Sequence, residues 1–599
     1  MKLPLYAAAL TMLTLTASTA VQADHHALAM HGRPKHDAGY RHFDYVDPEA
    51  PKGGRLVLSR TGSFDNLNRY IVRGLPAQGL GLTQRTLLQR SWDEPFTLYA
   101  LLADRVTMAE DRSWVAFRIR GTAKFHDGSP VTVDDVVFSA ETLRRQGRPN
   151  HRRYYGEVVE VQRPGPKTVR FHFAPSGNRE LPLIMGLMPV LPKAAFRDRA
   201  FDRVSLEPIA GAGPYRVDEV DPGRSISYRR IPGHWTEGLP AARGHYNFDT
   251  VRYDYYRDED ARHLAFQRAE VDVRRENDPR RWALAYDFPG VHDGRVVRSE
   301  FRHGRPAGMY ALAWNGRRPP FGDARVRRAL GHALDFPWLN RSFYHDAYRR
   351  TASYFANSNL AASGLPTAAE RALLEPHRAA LPPTLFTEPY LPPGAAAFGD
   401  LRRRLRLADS ELRAAGWVVR DLARVDEITG TPLAFEIMLG RREDERLALT
   451  LARNLERLGV EVRVRTVDSA QYQERLDRFD FDAVLYRWGQ SLSPGNEQAF
   501  YWGSAAADQA GSRNYPGIRD PVVDALVAHL TAAASREDLT AASRALDRAL
   551  LWGEHVLPLF HSDVDRLAYW DHLARPQRTP LYGPRLETWW AGPAAPRQR

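Results

Sequence analysis

No cysteine occurs in the 599 residues. That absence excludes a disulfide-stapled secreted domain, a cysteine nucleophile and a lipoprotein held through an N-terminal cysteine. Lysine is scarce: Lys2, Lys35, Lys52, Lys124, Lys167 and Lys193 are the whole set, so the formal charge of +12 comes almost entirely from arginine scattered among acids. Scattered arginine makes no basic stripe, and no nucleic-acid partner is expected. Beyond the N-terminus no run of about twenty apolar residues occurs, which removes a spanning helix. HExxH and GxSxG are missing, and Gly489-Gln490-Ser491-Leu492-Ser493 lacks the second glycine of a nucleophile elbow. No catalytic residue, metal site or cofactor is expected. His561 with Asp563, or a carboxylate pair in a cleft, is what remains for catalysis.

What is present starts with an export signal. Met1 and Lys2 give a weakly positive start, Leu3 to Ala17 is an uncharged apolar run, and Val21-Gln22-Ala23 supplies small residues for a signal peptidase. Residues 1–23 read as a signal peptide, with Asp24 the mature start and the periplasm the destination. Such a terminus would read Asp24-His25-His26, a pattern able to chelate copper or nickel. His25, His26, His31, His36 and His42 lack helical i, i+4 spacing, so the stretch to Pro51 reads as an irregular arm packed along the body. With 43% hydrophobic and 26% charged residues, the mature chain can bury several cores.

Along that chain the first strand is Arg55 to Arg60, and Phe64, Asp65, Asn66 and Asn68 follow its carboxyl end, either as ligand contacts or as a capped turn. From Leu82 to Pro192, WVAFRIR (Trp114 to Arg120) and KTVRFHF (Lys167 to Phe173) alternate as half-buried strands. A helix from Asp134 to Gln146, capped by Thr132, completes a separate α+β insert. His126 and Asp127 beside Gly128 read as a turn between strand and helix, not as an acid/base pair. Met309 to Asn315 is a strand, ending on Trp314 and Asn315, and a helix follows from Asp323 to Leu334. Leu433 to Tyr486 then runs βαβαβ, which right-handed crossovers turn into a largely parallel sheet. Its last strand opens a stretch, Phe481 to Pro521, dense in aromatics, amides and glycine. Loops of that composition at a strand's carboxyl end bind ligands. Trp488, Gln490, Ser491, Ser493, Asn496, Glu497, Arg513, Asn514 and Tyr515 are the candidates there, with the Trp488 ring expected on a cleft wall.

KFHDGSPVTVDDVVFS (Lys124 to Ser139), GAGPYRV (Gly211 to Val217) and FGDARVRRALGHALD (Phe321 to Asp335) resemble the recurring signatures of the family 5 extracellular solute-binding proteins of ABC importers. The stretches Met30 to Gly54, SYFANSNLAASGLP (Ser353 to Pro366) and WGQSLSPGNEQ (Trp488 to Gln498) resemble its Yej-type branch, associated with oligopeptides, microcin C and, in related importers, peptidoglycan fragments. The resemblance implies an α/β, two-lobed periplasmic binding protein (type II, cluster C) with an extra α+β subdomain inserted in lobe I. Residues 24–81, 193–302 and 560–599 would form lobe I, 82–192 the insert and 303–559 lobe II. It implies a monomer that closes over a peptide or peptide-like ligand and delivers it to an inner-membrane permease and its ATPase. Muropeptides or oligosaccharides are the alternative ligands; an exported hydrolase or a peptide-holding chaperone are others. Many relatives hold the ligand's amino terminus with an aspartate three residues after the tryptophan, where this chain has Ser491. Glu497 or Asp65 would have to substitute, and Arg513 is a partner for a ligand carboxylate.

Overall fold

The computed structural model describes residues 25–593, so the expected signal peptide and Asp24 lie outside the described residues. The strand Arg55–Thr61 buries Leu56 and Val57 and pairs in parallel with Thr250–Tyr256. Ser225–Arg230 and Tyr215–Asp221 extend this sheet in antiparallel order. A second sheet places the late strand Val564–Trp570 between Val273–Glu276 and Val296–Arg302. Phe64, Tyr215, Tyr228, Leu567 and Trp589 share one core, so the last segment of the chain seals the lobe built by the first.

The insert has its own antiparallel sheet, in the order Ala103–Met108, Trp114–Ile119, Thr168–Phe173, Val158–Gly165. Period-two alternation turns Val169, Phe171 and Phe173 onto Val136, Val137, Ala140 and Leu143 of the helix Val133–Gln146. Thr132 caps that helix reciprocally: Asp135 N–H donates to Thr132 Oγ1 at 3.3 Å and Thr132 N–H to Asp135 Oδ2 at 2.9 Å. Asp127 holds its own turn by accepting from Ser129 N–H at 2.9 Å. His126 accepts from Gly211 N–H at 3.2 Å and its other ring nitrogen reaches Gly213 O at 2.9 Å. A β-carbon on either glycine would strike the Leu82–Thr83 backbone, so this turn needs glycine for close approach. Two of the sequence signatures are therefore the joint between insert and lobe. The histidine-rich arm differs from the irregular segment expected. Ala27–Ala29 pairs antiparallel with Thr97–Ala100, and His25 N–H donates to Val106 O at 2.8 Å, because its small apolar residues fit an open sheet edge.

The other lobe is one five-stranded sheet, in the order Glu461–Thr466, Ala434–Leu439, Ala483–Trp488, Met309–Trp314, Val556–Pro558. The first three are parallel, as the βαβαβ pattern predicts, but Met309–Trp314 enters antiparallel to both its neighbours, which makes the sheet mixed. Both faces are covered. Met309, Ala311, Val484 and Trp488 face the helices Pro521–Ala532 and Arg536–Trp552, while Tyr310, Leu312, Trp314 and Leu485 face Ala324–Gly331, Leu401–Ala414 and Glu445–Glu456. The predicted helix 323–334 is shorter than expected, ending at Gly331.

The chain crosses between the lobes twice, at 303–308 and 559–563, and His303 N–H donates to Asp563 O at 3.3 Å where the crossings meet. The segment Ser353 to Pro366 braces them. Asn357, in left-handed backbone at φ 65°, donates through Nδ2 to His303 O and Arg305 O at 3.0 and 3.1 Å.

Candidate functional site

A cavity of about 1110 Å³ opens where the two lobes and both crossings converge. One lobe contributes Glu276, Asp278 and Arg280, the crossings Arg305 and His561, and the other lobe Tyr310, Tyr344, Asp444 and Arg487. Strand ends position the last two groups. Alternation in Ala483–Trp488 points Arg487 away from the Trp488 core, and the turn after Leu439 brings Asp444 to accept from Tyr310 O–H at 2.7 Å. The Arg487 guanidinium lies 4.6 Å from the Tyr310 ring centre, stacked on a ring whose hydroxyl is already held. Burial holds it below its usual pKa, while its side chain stays open to the cavity.

The crossing is pinned by Asp565. Arg275 Nη1 donates to it at 3.0 Å and Arg305 Nη1 at 2.9 Å, with a second, shorter bond from Arg305 Nη2. Burial works against this carboxylate's charge, but the arginines outweigh it and keep it ionised. His303 is pushed down to about 4 by burial and by Arg305, and burial also lowers His561. His561 Nδ1 contacts Thr351 Oγ1 at 3.0 Å, and Asp563 is taken by Arg302 and Arg349, each at 3.0 Å. That pair therefore forms no acid/base dyad.

None of the ligand-contact residues expected from the sequence lines this cavity. Trp488 is fully buried, donating to Arg513 O at 3.0 Å among the rings of Tyr486, Trp502 and Tyr515 at 5.0, 5.1 and 5.9 Å. This corrects the expected cleft-wall placement, because the loop's aromatics satisfy one another. Tyr515 belongs to the same core, and Asn514 is buried with Nδ2 donating to Gly503 O and Ile518 O at 3.0 and 2.9 Å. Trp314 stacks on Phe321 at 5.2 Å, and Asn315 donates to Phe479 O and Phe481 O at 3.0 and 2.8 Å. In the first lobe Phe64 packs on Tyr255 at 4.9 Å, while Asn66 closes its own loop through Arg73 O at 3.1 Å and Asn68 ties that loop to Phe201 O at 2.8 Å. Asp65 is exposed and accepts from Leu75 N–H at 2.6 Å. These amides hold backbone.

Ser491, Asn496 and Arg513 are exposed, and Arg513 donates to Tyr501 O–H at 3.2 Å. Ser493 is buried. Gln490 and Glu497 are partly exposed and share Gln498, whose Nε2 donates to them at 2.6 and 3.0 Å. Glu497 takes part in the second approach of the lobes. A β-carbon on Gly495 would collide with Glu180 Oε1 of the insert and stand 3.7 Å from Glu497 Oε2. Two carboxylates from opposite bodies thus approach each other, and among the described residues neither has an ion pair with an arginine or lysine. Burial, and then Glu497, push Glu180 up to about 7 from 4.5.

The folded state therefore holds this proton more tightly than the unfolded chain, so the cost of the ionised group appears as pH rises from 4.5 to about 7. Glu180→Gln should stabilise the protein at pH 8 and change little at pH 4.5, read as urea midpoints. Buried Glu554 and Asp547, at about 7 and about 6, titrate in the same direction in both proteins and cancel in the comparison. An identical difference at both pH values would contradict the raised pKa of Glu180.

Arg487 and the Arg441–Asp444 turn were the residues missed. Their signals were an arginine closing an otherwise apolar strand, and a charged turn at the carboxyl end of the first parallel strand. Among the described residues no group of three or more His, Cys, Asp or Glu is placed to hold a metal ion, and no helix is long and apolar enough to cross a membrane.

Two α/β lobes, an inserted α+β subdomain, two crossings and a cavity between the lobes define a type II solute-binding protein. Residues 97–510 match the family described as bacterial extracellular solute-binding proteins, family 5 Middle, and the chain belongs to that family, in its Yej-type branch. It is 38% identical over 593 residues to "Peptidoglycan-binding protein YepA" of Agrobacterium fabrum, covering 96% of each chain. It is 40% identical over 573 residues to "Probable peptide-binding protein YejA" of the same organism, covering 94% of this chain and 93% of that one. Among solved structures, the oligopeptide-binding protein AppA of Bacillus subtilis, in complex with a nonapeptide, superposes with a TM-score of 0.63 at 18% identity, over 91% of this chain and 100% of that one.

Proposed function

We propose that the chain is the periplasmic substrate-binding component of an ABC importer, capturing a peptide-like ligand between its lobes and handing it to an inner-membrane permease and its ATPase. The observation that carries this reading is a cavity of about 1110 Å³ walled by both lobes and both crossings. Drug-sized ligands fill pockets of roughly 300–1,000 Å³, so this one has room for a ligand of several residues. A ligand touching both lobes stabilises the closed arrangement over the open one, which is the differential contact a closing receptor needs. The residues 1–23 serve as a cleaved export signal, and lobe I, the insert and lobe II take the boundaries expected from the sequence, with 25–30 joining the insert. The protein acts as a monomer and binds without turnover; His561 and Asp563, one of the two arrangements the sequence left for catalysis, are taken up in separate contacts.

The name of the Agrobacterium relative favours a second ligand class, peptidoglycan fragments, in the same cavity. Both are tested by adding a peptide mixture or a muropeptide digest to the purified protein and following its melting temperature, with mass spectrometry of the added molecules. Stabilisation by several degrees with the ligand recovered intact is expected. Cleaved products would sink the receptor reading in favour of a hydrolase, and no stabilisation by either mixture would remove both ligand classes.

A further inference from the structure

Resting on that reading, we propose that the cavity selects peptide-like ligands bearing a side-chain carboxylate, and that Arg487 is the residue that recognises it. The walls are rich in charge, but the two signs are used differently. Each acid except Glu443 is already engaged within the wall: Asp565 by Arg275 and Arg305, Asp444 by Tyr310 and Arg441, and Glu276 by Arg274 at 3.0 Å. Among the described residues, Arg280, Arg442, Arg446 and Arg487 have no carboxylate within 4.0 Å, although all four line the cavity. Burial disfavours the protonated forms of His303 and His561, so neither histidine adds positive charge to the wall. The wall therefore carries four arginines without a direct carboxylate partner, against one acid, Glu443, left unengaged.

Arg487 is the best placed of the four. It sits at the end of a sheet strand, flanked by the Trp488 core, and its guanidinium is fixed on the Tyr310 ring, whose own orientation Asp444 sets. A planar fork held by its face presents its N–H edge for bidentate bonds to a carboxylate. Arg442 and Arg446, on the turn and first helical turn nearby, raise the local positive potential, with Arg446 held 5.9 Å from the Phe343 ring. The Arg487 side chain stays open to the cavity, and a ligand carboxylate there would favour its charged form against the lowering effect of burial.

The test uses four tetrapeptides with one glutamate moved through an alanine background, and their four glutamine counterparts, titrated calorimetrically into the full mature protein. A charge-assisted hydrogen bond contributes about 1.5–3 kcal/mol, so at least one glutamate peptide should bind about 10- to 100-fold tighter than its glutamine twin. Arg487→Gln should bring the pair within about twofold, and Arg487→Lys, keeping charge but not the fork, should restore part of the difference. Unchanged melting temperatures for both variants show that the fold is intact. Equal binding of glutamate and glutamine peptides by the native protein overturns the selection while leaving the peptide receptor standing. A preference that survives Arg487→Gln overturns the assignment to Arg487. Binding of none of the eight, nor of a muropeptide digest, overturns the receptor reading as well.

Discussion

Trp488→Ala lowers the unfolding free energy of the ligand-free protein by about 3–5 kcal/mol, the range for emptying a large aromatic site in a core. The ring is fully buried, three aromatic neighbours lie within 5.9 Å, and its N–H is the partner of Arg513 O. Alanine leaves a cavity that the sheet above and the helix Arg536–Trp552 are too stiff to fill, and it orphans a carbonyl of the following loop. Urea unfolding read by far-ultraviolet circular dichroism measures the shift. Its neighbour on the strand supplies the contrast: Arg487 faces the cavity, so Arg487→Gln changes binding and leaves the midpoint where it was. If Trp488→Ala abolished ligand binding while the midpoint stayed fixed, the ring would belong to the cleft wall after all.

Glu370→Ala costs a similar amount for a different reason. Arg548 Nε donates to Glu370 Oε2 at 2.7 Å, with the two side chains 2% and 1% exposed. An apolar pair of the same shape would hold the fold as well, but removing one member strands a buried cation, which costs about 3–5 kcal/mol. Glu370 also accepts from Thr367 Oγ1 at 3.1 Å while its N–H donates back at 3.4 Å, capping the helix Ala368–Leu374. Arg548 further holds Gly364 O and Ser363 O at 2.8 and 2.9 Å, and Asp547 beside it accepts from Ser353 and Tyr354 at 2.6 and 2.7 Å. The signature Ser353 to Pro366 is thus wrapped on one helix turn, and through Asn357 it supports the first crossing. Glu370→Gln keeps the cap and one neutral hydrogen bond, so its loss should be the smaller. Equal urea midpoints for Glu370→Ala and the native protein would show that Arg548 finds water or another partner.

The fold was legible where short-range physics decides it. Alternation in WVAFRIR and KTVRFHF, the Thr132 cap, and the βαβαβ spacing from Leu433 to Tyr486 each specify local structure without help from the rest of the chain. The Met309–Trp314 strand was legible as a strand but not in its direction, which depends on a crossing that arrives from the other lobe. The site was less legible. Aromatic and amide residues are what a binding loop needs and equally what a loop needs to pack on itself, and Trp488, Asn514 and Tyr515 do the latter. Glu276, Arg305, Asp444, Arg487 and His561 meet only because two crossings and two sheet ends converge, and no periodicity in the sequence brings such distant positions together. The serine at 491 was visible, and the structure finds the carboxylates of Glu497 and Glu180 beside Gly495, on opposite sides of the lobe boundary.

The most direct measurement is native mass spectrometry of the mature protein after incubation with peptides and a muropeptide digest, followed by denaturing release of whatever is bound. A receptor for peptide-like ligands retains one molecule per chain, and that molecule yields amino acids on hydrolysis, acidic residues among them. A chain that retains nothing from either mixture, or holds a molecule free of amino acids, would contradict the proposed function.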